Sequence, residues 1–210
     1  QRHDEILLTM VTDPPGVIAA EEFTKYTKHQ AVQFTHMLPG AIWSLLVPLQ
    51  LHSGVRKRVP KLHRICGYLF LACSLSISMG LILIMKRRLD FEAGFEEELP
   101  PPRYTSQPAI FGLGTYFATT GILASYFAKT RQFVSHRRWV IRHVAAGLFV
   151  AVQRLLLLGI YPLFYPPPVS RVHQRWIFGQ SAHVGAIFSI CAGEAAIYLL
   201  QQQKPKNRSQ

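Results

Sequence analysis

Charge is what this sequence has least of. Only 16% of its 210 residues are Asp, Glu, Lys or Arg, against about 25% in a soluble domain. Acids are the scarcest, with 11 Asp and Glu beside 23 Lys and Arg, for a net charge of +12. A chain that is 49% apolar and so thinly charged does not clothe a soluble surface, and it is too apolar for disorder. Three cysteines in a chain of this length exclude a disulfide-stapled mini-domain. A Ser-centred elbow, a phosphate-cradling P-loop, an HExxH and a CxxC are all missing. The apolar stretches also lack period-2 alternation, which disfavours barrel strands. A nucleic-acid partner needs its bases on one soluble face, and no soluble face is available here. What remains is an integral membrane protein.

Long apolar runs are what the sequence does have. Crossing the hydrocarbon takes about 20 mostly apolar residues. Five stretches meet that length: 31–51, 65–85, 109–128, 139–163 and 177–200. They predict an all-α polytopic transmembrane helical bundle of five spanning helices over 31–200. Residues 1–30 are then an extracytoplasmic N-terminal segment and 201–210 a cytoplasmic polar tail. The joints are polar or Pro-rich, as at Pro166-Pro167-Pro168. The run Ile6–Val11 is too short for a signal peptide and is closed by Asp13-Pro14-Pro15. Because the chain starts at Gln1, a processed protein or a fragment is expected.

Charge placement predicts orientation. One side collects Arg56, Lys57, Arg58, Lys61, Arg64, Lys129, Arg131, Arg137, Arg138, Arg142, Lys204, Lys206 and Arg208, with no acid among them. The other side mixes nine bases, including Lys86-Arg87-Arg88, with ten acids, including Glu96-Glu97-Glu98. Excess Lys and Arg marks the cytoplasmic face. The expected topology is therefore N-terminus outside and C-terminus cytoplasmic, with anionic lipid attracted to the cytoplasmic face.

Arg154 and Glu194 fall inside the hydrocarbon, where ionisable groups are costly and usually face the bundle interior. With the rise of an α-helix, His36 and Arg154 lie about 22 Å, and His183 about 25 Å, from the cytoplasmic helix ends. His143 lies about 6 Å and Glu194 about 9 Å from those ends. His63 and His136 sit at the edge of that inner layer. His143 and Arg154 are eleven residues apart, which is close to three turns and puts them on one face. Glu194 is expected to pair with His143. His36, Gly40, Trp43, Val47 and Gln50 form one inward stripe, and His63, Gly67, Ser74 and Ser78 another. Pro39 and Pro48 remove hydrogen bonds in the first helix, and a kink at Pro39 would free a carbonyl near His36.

Opposed imidazoles on neighbouring helices suit the two axial positions of a b-type haem. The candidate ligands are His36 with His183 in one layer, and His63 with His136 or His143 in the other, with Arg154 set to pair with a propionate. Two rival readings use the same residues. One is a transporter or proton-coupled channel with a polar path through His36, Arg154, His183 and Glu194. The other is a non-enzymatic scaffold whose polar groups only fix helix packing. Cys66, Cys73 and Cys191 lack metal spacing and read as small packing residues.

Two blocks resemble a known family. Leu62-His63-Arg64-Ile65-Cys66-Gly67-Tyr68 and His136-Arg137-Arg138-Trp139-Val140-Ile141-Arg142, followed by Arg154 and Glu194, are similar to the predicted membrane proteins grouped as domain of unknown function 2306. The resemblance runs from Phe34 to Leu200. It implies a multi-span helical protein with one more hydrophobic segment ahead of this part, and no established reaction. The positions matching that pattern are His36, His63, Arg64, Gly67, His136, Arg137, Trp139, Arg142, Arg154 and Glu194. His143 and His183 depart from it, so the pair that uses only matching positions is His63 with His136.

Overall fold

Each of the five apolar runs is a helix in the computed structural model, which describes residues 18, 24–90, 107–165 and 169–202. The helices are α1, Gln30–Leu51; α3, Pro60–Lys86; α4, Gln107–Lys129; α5, Phe133–Phe164; and α6, Arg171–Gln202. A short α2, Ser53–Arg58, occupies the expected polar joint. All five long helices are long and apolar enough to cross a membrane. The shortest has 22 residues and spans about 33 Å. The helices run past the expected ends because polar residues extend a turn beyond the hydrocarbon. The acidic cluster 96–98, nearly all of the tail 201–210 and most of the segment 1–30 lie outside the described residues.

Local chemistry sets the helix ends. His52 Nδ1 accepts from the Val55 N–H, 3.3 Å away, and caps α2. Pro60 opens α3, where its missing N–H costs nothing. α3 and α4 both close with an arginine in the left-handed region, Arg88 at φ 51° and Arg131 at φ 60°. In each case the following N–H reaches back five residues, from Leu89 to Ile84 O and from Gln132 to Phe127 O. That is the glycine-type helix stop, built here on L-residues.

Pro39 acts locally. The five residues Gln33–Met37 just before it form a wide π turn. The Thr35 carbonyl, which loses the Pro39 N–H, accepts from Ser76 Oγ at 2.9 Å instead. The carbonyl expected to be freed is thus used to bind α3. Pro48, by contrast, sits inside an unbroken helical stretch, Leu38–Leu51.

Contacts run in opposite senses along neighbours: His36 meets Ile77, His136 meets Ala124, and Gln153 meets Phe178. The helices therefore alternate in direction. α1 packs on α3, α3 on α4, α4 on α5 and α5 on α6. Trp43, Phe70, Phe117 and Val144 come from α1, α3, α4 and α5 and fill one core. α6 lies against α5. A second apolar cluster joins Leu157, Ile177 and Phe178 with Ile18. Small residues permit close approach. A Cβ on Gly147 would strike the Trp43 ring, and one on Gly80 would lie 2.6 Å from His36 Cβ.

Candidate functional site

The polar centre of the bundle is built around His143, which is 1% exposed. Its ring stacks on Phe117, with centroids 4.2 Å apart, and meets the edges of Trp43 and Phe70. Nδ1 lies 2.9 Å from the Phe117 carbonyl and 3.2 Å from Thr120 Oγ1. A carbonyl only accepts, so Nδ1 carries the proton and Nε2 of the neutral ring accepts. The Ser74 hydroxyl lies 2.8 Å from Nε2 and 2.9 Å from the Phe70 carbonyl of its own helix, and its one proton is shared between these two acceptors. Trp43 Nε1–H in turn donates to Ser74 Oγ at 3.0 Å. One chain of bonds therefore ties α1, α3, α5 and α4. With both nitrogens engaged and rings packed against it, His143 offers no lone pair to an iron.

The other candidate histidines are placed as follows. His36 Nδ1 donates to the Ile77 carbonyl at 3.1 Å. His183 is half-buried on α6 and has no hydrogen-bond partner among the described residues. The helix of His36 packs on α3 and that of His183 on α5, so the outer pairing gains no support from the packing. His136 Nδ1 donates to the Ala124 carbonyl at 2.8 Å, which leaves its Nε2 open. His63, in the first turn of α3, has a buried Nδ1 with no hydrogen-bond partner, while Gln50 Nε2 donates to its carbonyl at 3.3 Å. His63 and His136 are close enough to interact electrostatically, and Arg56 is near the same ring. Of the three pairings the sequence suggests, this one brings two imidazoles together with an open nitrogen each.

The two intramembrane charges sit apart. Glu194 binds Arg142, not His143: Nε and Nη2 of the guanidinium donate to its two carboxylate oxygens at 2.6 and 2.8 Å. The guanidinium also lies 4.8 Å over the Trp139 ring. In the sequence Arg142 stood out as a basic residue at the inner edge of α5 and as a position of the resembled pattern, but not as the partner of Glu194. Arg154 is exposed on the bundle surface, 4.9 Å over the Phe178 ring, and Lys25 is 5.5 Å from that same ring. The eleven-residue spacing to His143 misleads because the cover changes along α5. At the level of Arg154 the buried residues are Gln153 and Leu157, and Gln153 Nε2 donates to the Phe178 carbonyl of α6 at 3.0 Å. The path expected through His36, Arg154, His183 and Glu194 is thus distributed over separate contacts.

Among the described residues no three His, Cys, Asp or Glu side chains converge as metal ligands do. Sequence reasoning missed Thr120 and Gln153, both buried. The signal for Thr120 was its neighbour Gly121, whose missing side chain leaves room for the His143 ring, 3.0 Å from where a Cβ would stand. Compared with protein-family models, curated proteins and solved structures, the chain matches none.

Proposed function

We propose that this chain is a non-enzymatic, multi-pass membrane scaffold whose intramembrane polar side chains fasten its helices to one another. The observation that carries the reading is that polar bonds cross the helix junctions in turn. Ser76 to Thr35 O and His36 to Ile77 O join α1 and α3. Ser74 with His143 joins α3 and α5, His136 to Ala124 O joins α5 and α4, and Arg142 with Glu194 joins α5 and α6. In lipid, where apolar burial gives helices little reason to associate, such bonds contribute about 0.6 to 2 kcal/mol each. The basic end, with Arg56, Lys57, Arg58, Lys61, Arg137 and Arg138, is the cytoplasmic face by the excess-positive rule. It attracts anionic lipid at roughly 1 kcal/mol per base near the surface. The resemblance to the domain of unknown function 2306 family, carried by the two His-Arg blocks, is compatible with this role.

The test is purification in detergent, then reconstitution in vesicles. The scaffold reading expects a colourless protein, no proton or ion flux, and lower thermal stability for Ser74→Ala. Flux that is lost in Glu194→Gln while stability is kept would overturn it in favour of transport.

A second reading has one specific observation behind it: the orphaned, buried Nδ1 of His63 beside the open Nε2 of His136. These two residues would hold a b-type haem at the basic end, and the haem would supply one-electron transfer. Lone pairs of neutral imidazoles are the required donors. A Soret band that shifts on dithionite reduction and is lost in both His63→Ala and His136→Ala would establish it. A colourless, folded preparation would remove it.

A further inference from the structure

The Arg142–Glu194 ion pair lies within the candidate spanning helices and on the outer surface of the bundle. The Arg142 side chain is 25% exposed and the Glu194 side chain 46%. Charges facing hydrocarbon are costly and are normally covered by protein. Glu194 stands eight residues before the end of α6 at Gln202, about 12 Å along the axis. The bidentate bond holds Arg142 at that depth and keeps it from reaching up to the headgroups.

Glu194 belongs to a continuous stripe. Ile187, Cys191, Glu194 and Tyr198 follow i, i+4, i+7, i+11 and share one face of α6. All four are exposed, Ile187 at 66% and Tyr198 at 61%. The opposite side of the helix, at Ser189, Gly193 and Ile197, is buried.

We infer that this stripe is the seam of a parallel, two-fold homodimer in which Arg142 and Glu194 of the two copies close a ring of four alternating charges. The occupant follows from charge complementarity. The face carries one positive and one negative group at the same depth, since they bond to each other. A two-fold axis along the membrane normal preserves depth, so each copy presents Glu194 to the Arg142 of its mate. Donors remain for the second bond, because Nη1 of Arg142 has no acceptor among the described residues. Each carboxylate oxygen has a further lone pair to accept it. A partner of one sign would leave one of the two groups unmatched, whereas a second copy matches both. The ring covers both charges and continues the fastening from within the chain to between chains. It rests in part on that reading, since both use the Arg142–Glu194 bond, and the cross-linking below reads a contact between chains that the scaffold reading alone does not require.

The test uses the full chain in membranes with a thiol cross-linker. Cys191 is exposed on the stripe, and Cys66 and Cys73 are buried, so cross-linking reports on the seam. The native chain is expected to give a dimer that Cys191→Ser abolishes. Arg142→Gln and Glu194→Gln, each expressed alone, are expected to lose about tenfold of it. Co-expressed with different tags, the two variants keep one Arg142–Glu194 pair across the seam and should form heterodimer in excess over both homodimers. If either variant does not accumulate, the exchanged chain Arg142→Glu/Glu194→Arg carries the test and should dimerise like the native one. No Cys191-dependent dimer, mixed pairs in statistical proportion, or failure of the exchanged chain to dimerise overturns the inference.

Discussion

The Ser74 hydroxyl lies 2.8 Å from Nε2 of His143, 69 positions away along the chain. It also receives Trp43 Nε1–H at 3.0 Å. One small side chain thereby satisfies an imidazole and an indole from two other helices. Ser74→Ala leaves both unpaired in a buried site, and each orphan costs about 1–3 kcal/mol. A loss of roughly 2–6 kcal/mol is expected on that basis, measured by unfolding in mixed micelles. His143→Phe in the Ser74→Ala background should cost less than the two changes summed, because it deletes one of the orphans. Additive costs would show that the pair is not coupled.

Trp43 and Gly147 make a second dependency between α1 and α5. A Cβ at 147 would overlap the indole, so Gly147→Ala is expected to destabilise by about 1–3 kcal/mol through overpacking. Trp43→Phe, smaller at the point of contact, should recover part of that loss in the double variant. Micelle unfolding of the four chains in the cycle decides it.

Arg131 offers a gain in stability. It stands at φ 60° between α4 and α5, in a position glycine occupies without a Cβ clash. Arg131→Gly should raise stability by roughly 0.5–1 kcal/mol, the relief of the left-handed backbone less the flexibility glycine adds to the unfolded chain. Arg131→Ala, which keeps the Cβ, should not. An equal effect of both would assign the change to the lost charge.

What the sequence disclosed and what it withheld divide along one physical line. Helices 31–51 and 65–85 were legible because an apolar run of spanning length is a local property. So were the inward stripes through Trp43, Val47 and Gln50 and through Gly67 and Ser74, because side-chain direction follows from helical pitch. Partner choice was not legible. Glu194 was matched to His143 on depth alone. Its true partner, Arg142, is one residue away in sequence and about 100° around the same helix, so it faces α6 while His143 faces the core. Arg154 failed for a related reason, since spacing fixes a face but not which neighbour covers that face at each level. The π turn at Gln33–Met37 was half legible: Pro39 announced a disturbed hydrogen-bond ladder, and only the packed structure shows Ser76 repairing it.

The basic end makes the last prediction, about topology. Arg56, Lys57, Arg58 and Lys61 lie at the α1–α3 connection, and Lys129, Arg131, Arg137 and Arg138 at the α4–α5 connection. The opposite end has its own bases at Lys86, Arg87 and Arg88, where α3 ends. If the excess of positive charge orients the chain, a fluorescent protein fused after Gln210 should mature in the cytoplasm and a phosphatase fused there should be inactive. Neutralising either connection alone, all four bases to Gln, leaves the other to hold the orientation, so the reporters should not change. Neutralising both leaves five bases on that side, Arg64, Arg142, Lys204, Lys206 and Arg208, against nine on the other, Lys86, Arg87 and Arg88 among them. A fraction of molecules should then insert inverted, with phosphatase activity appearing at the expense of fluorescence. An unchanged topology after both replacements would show that charge at these connections does not set it.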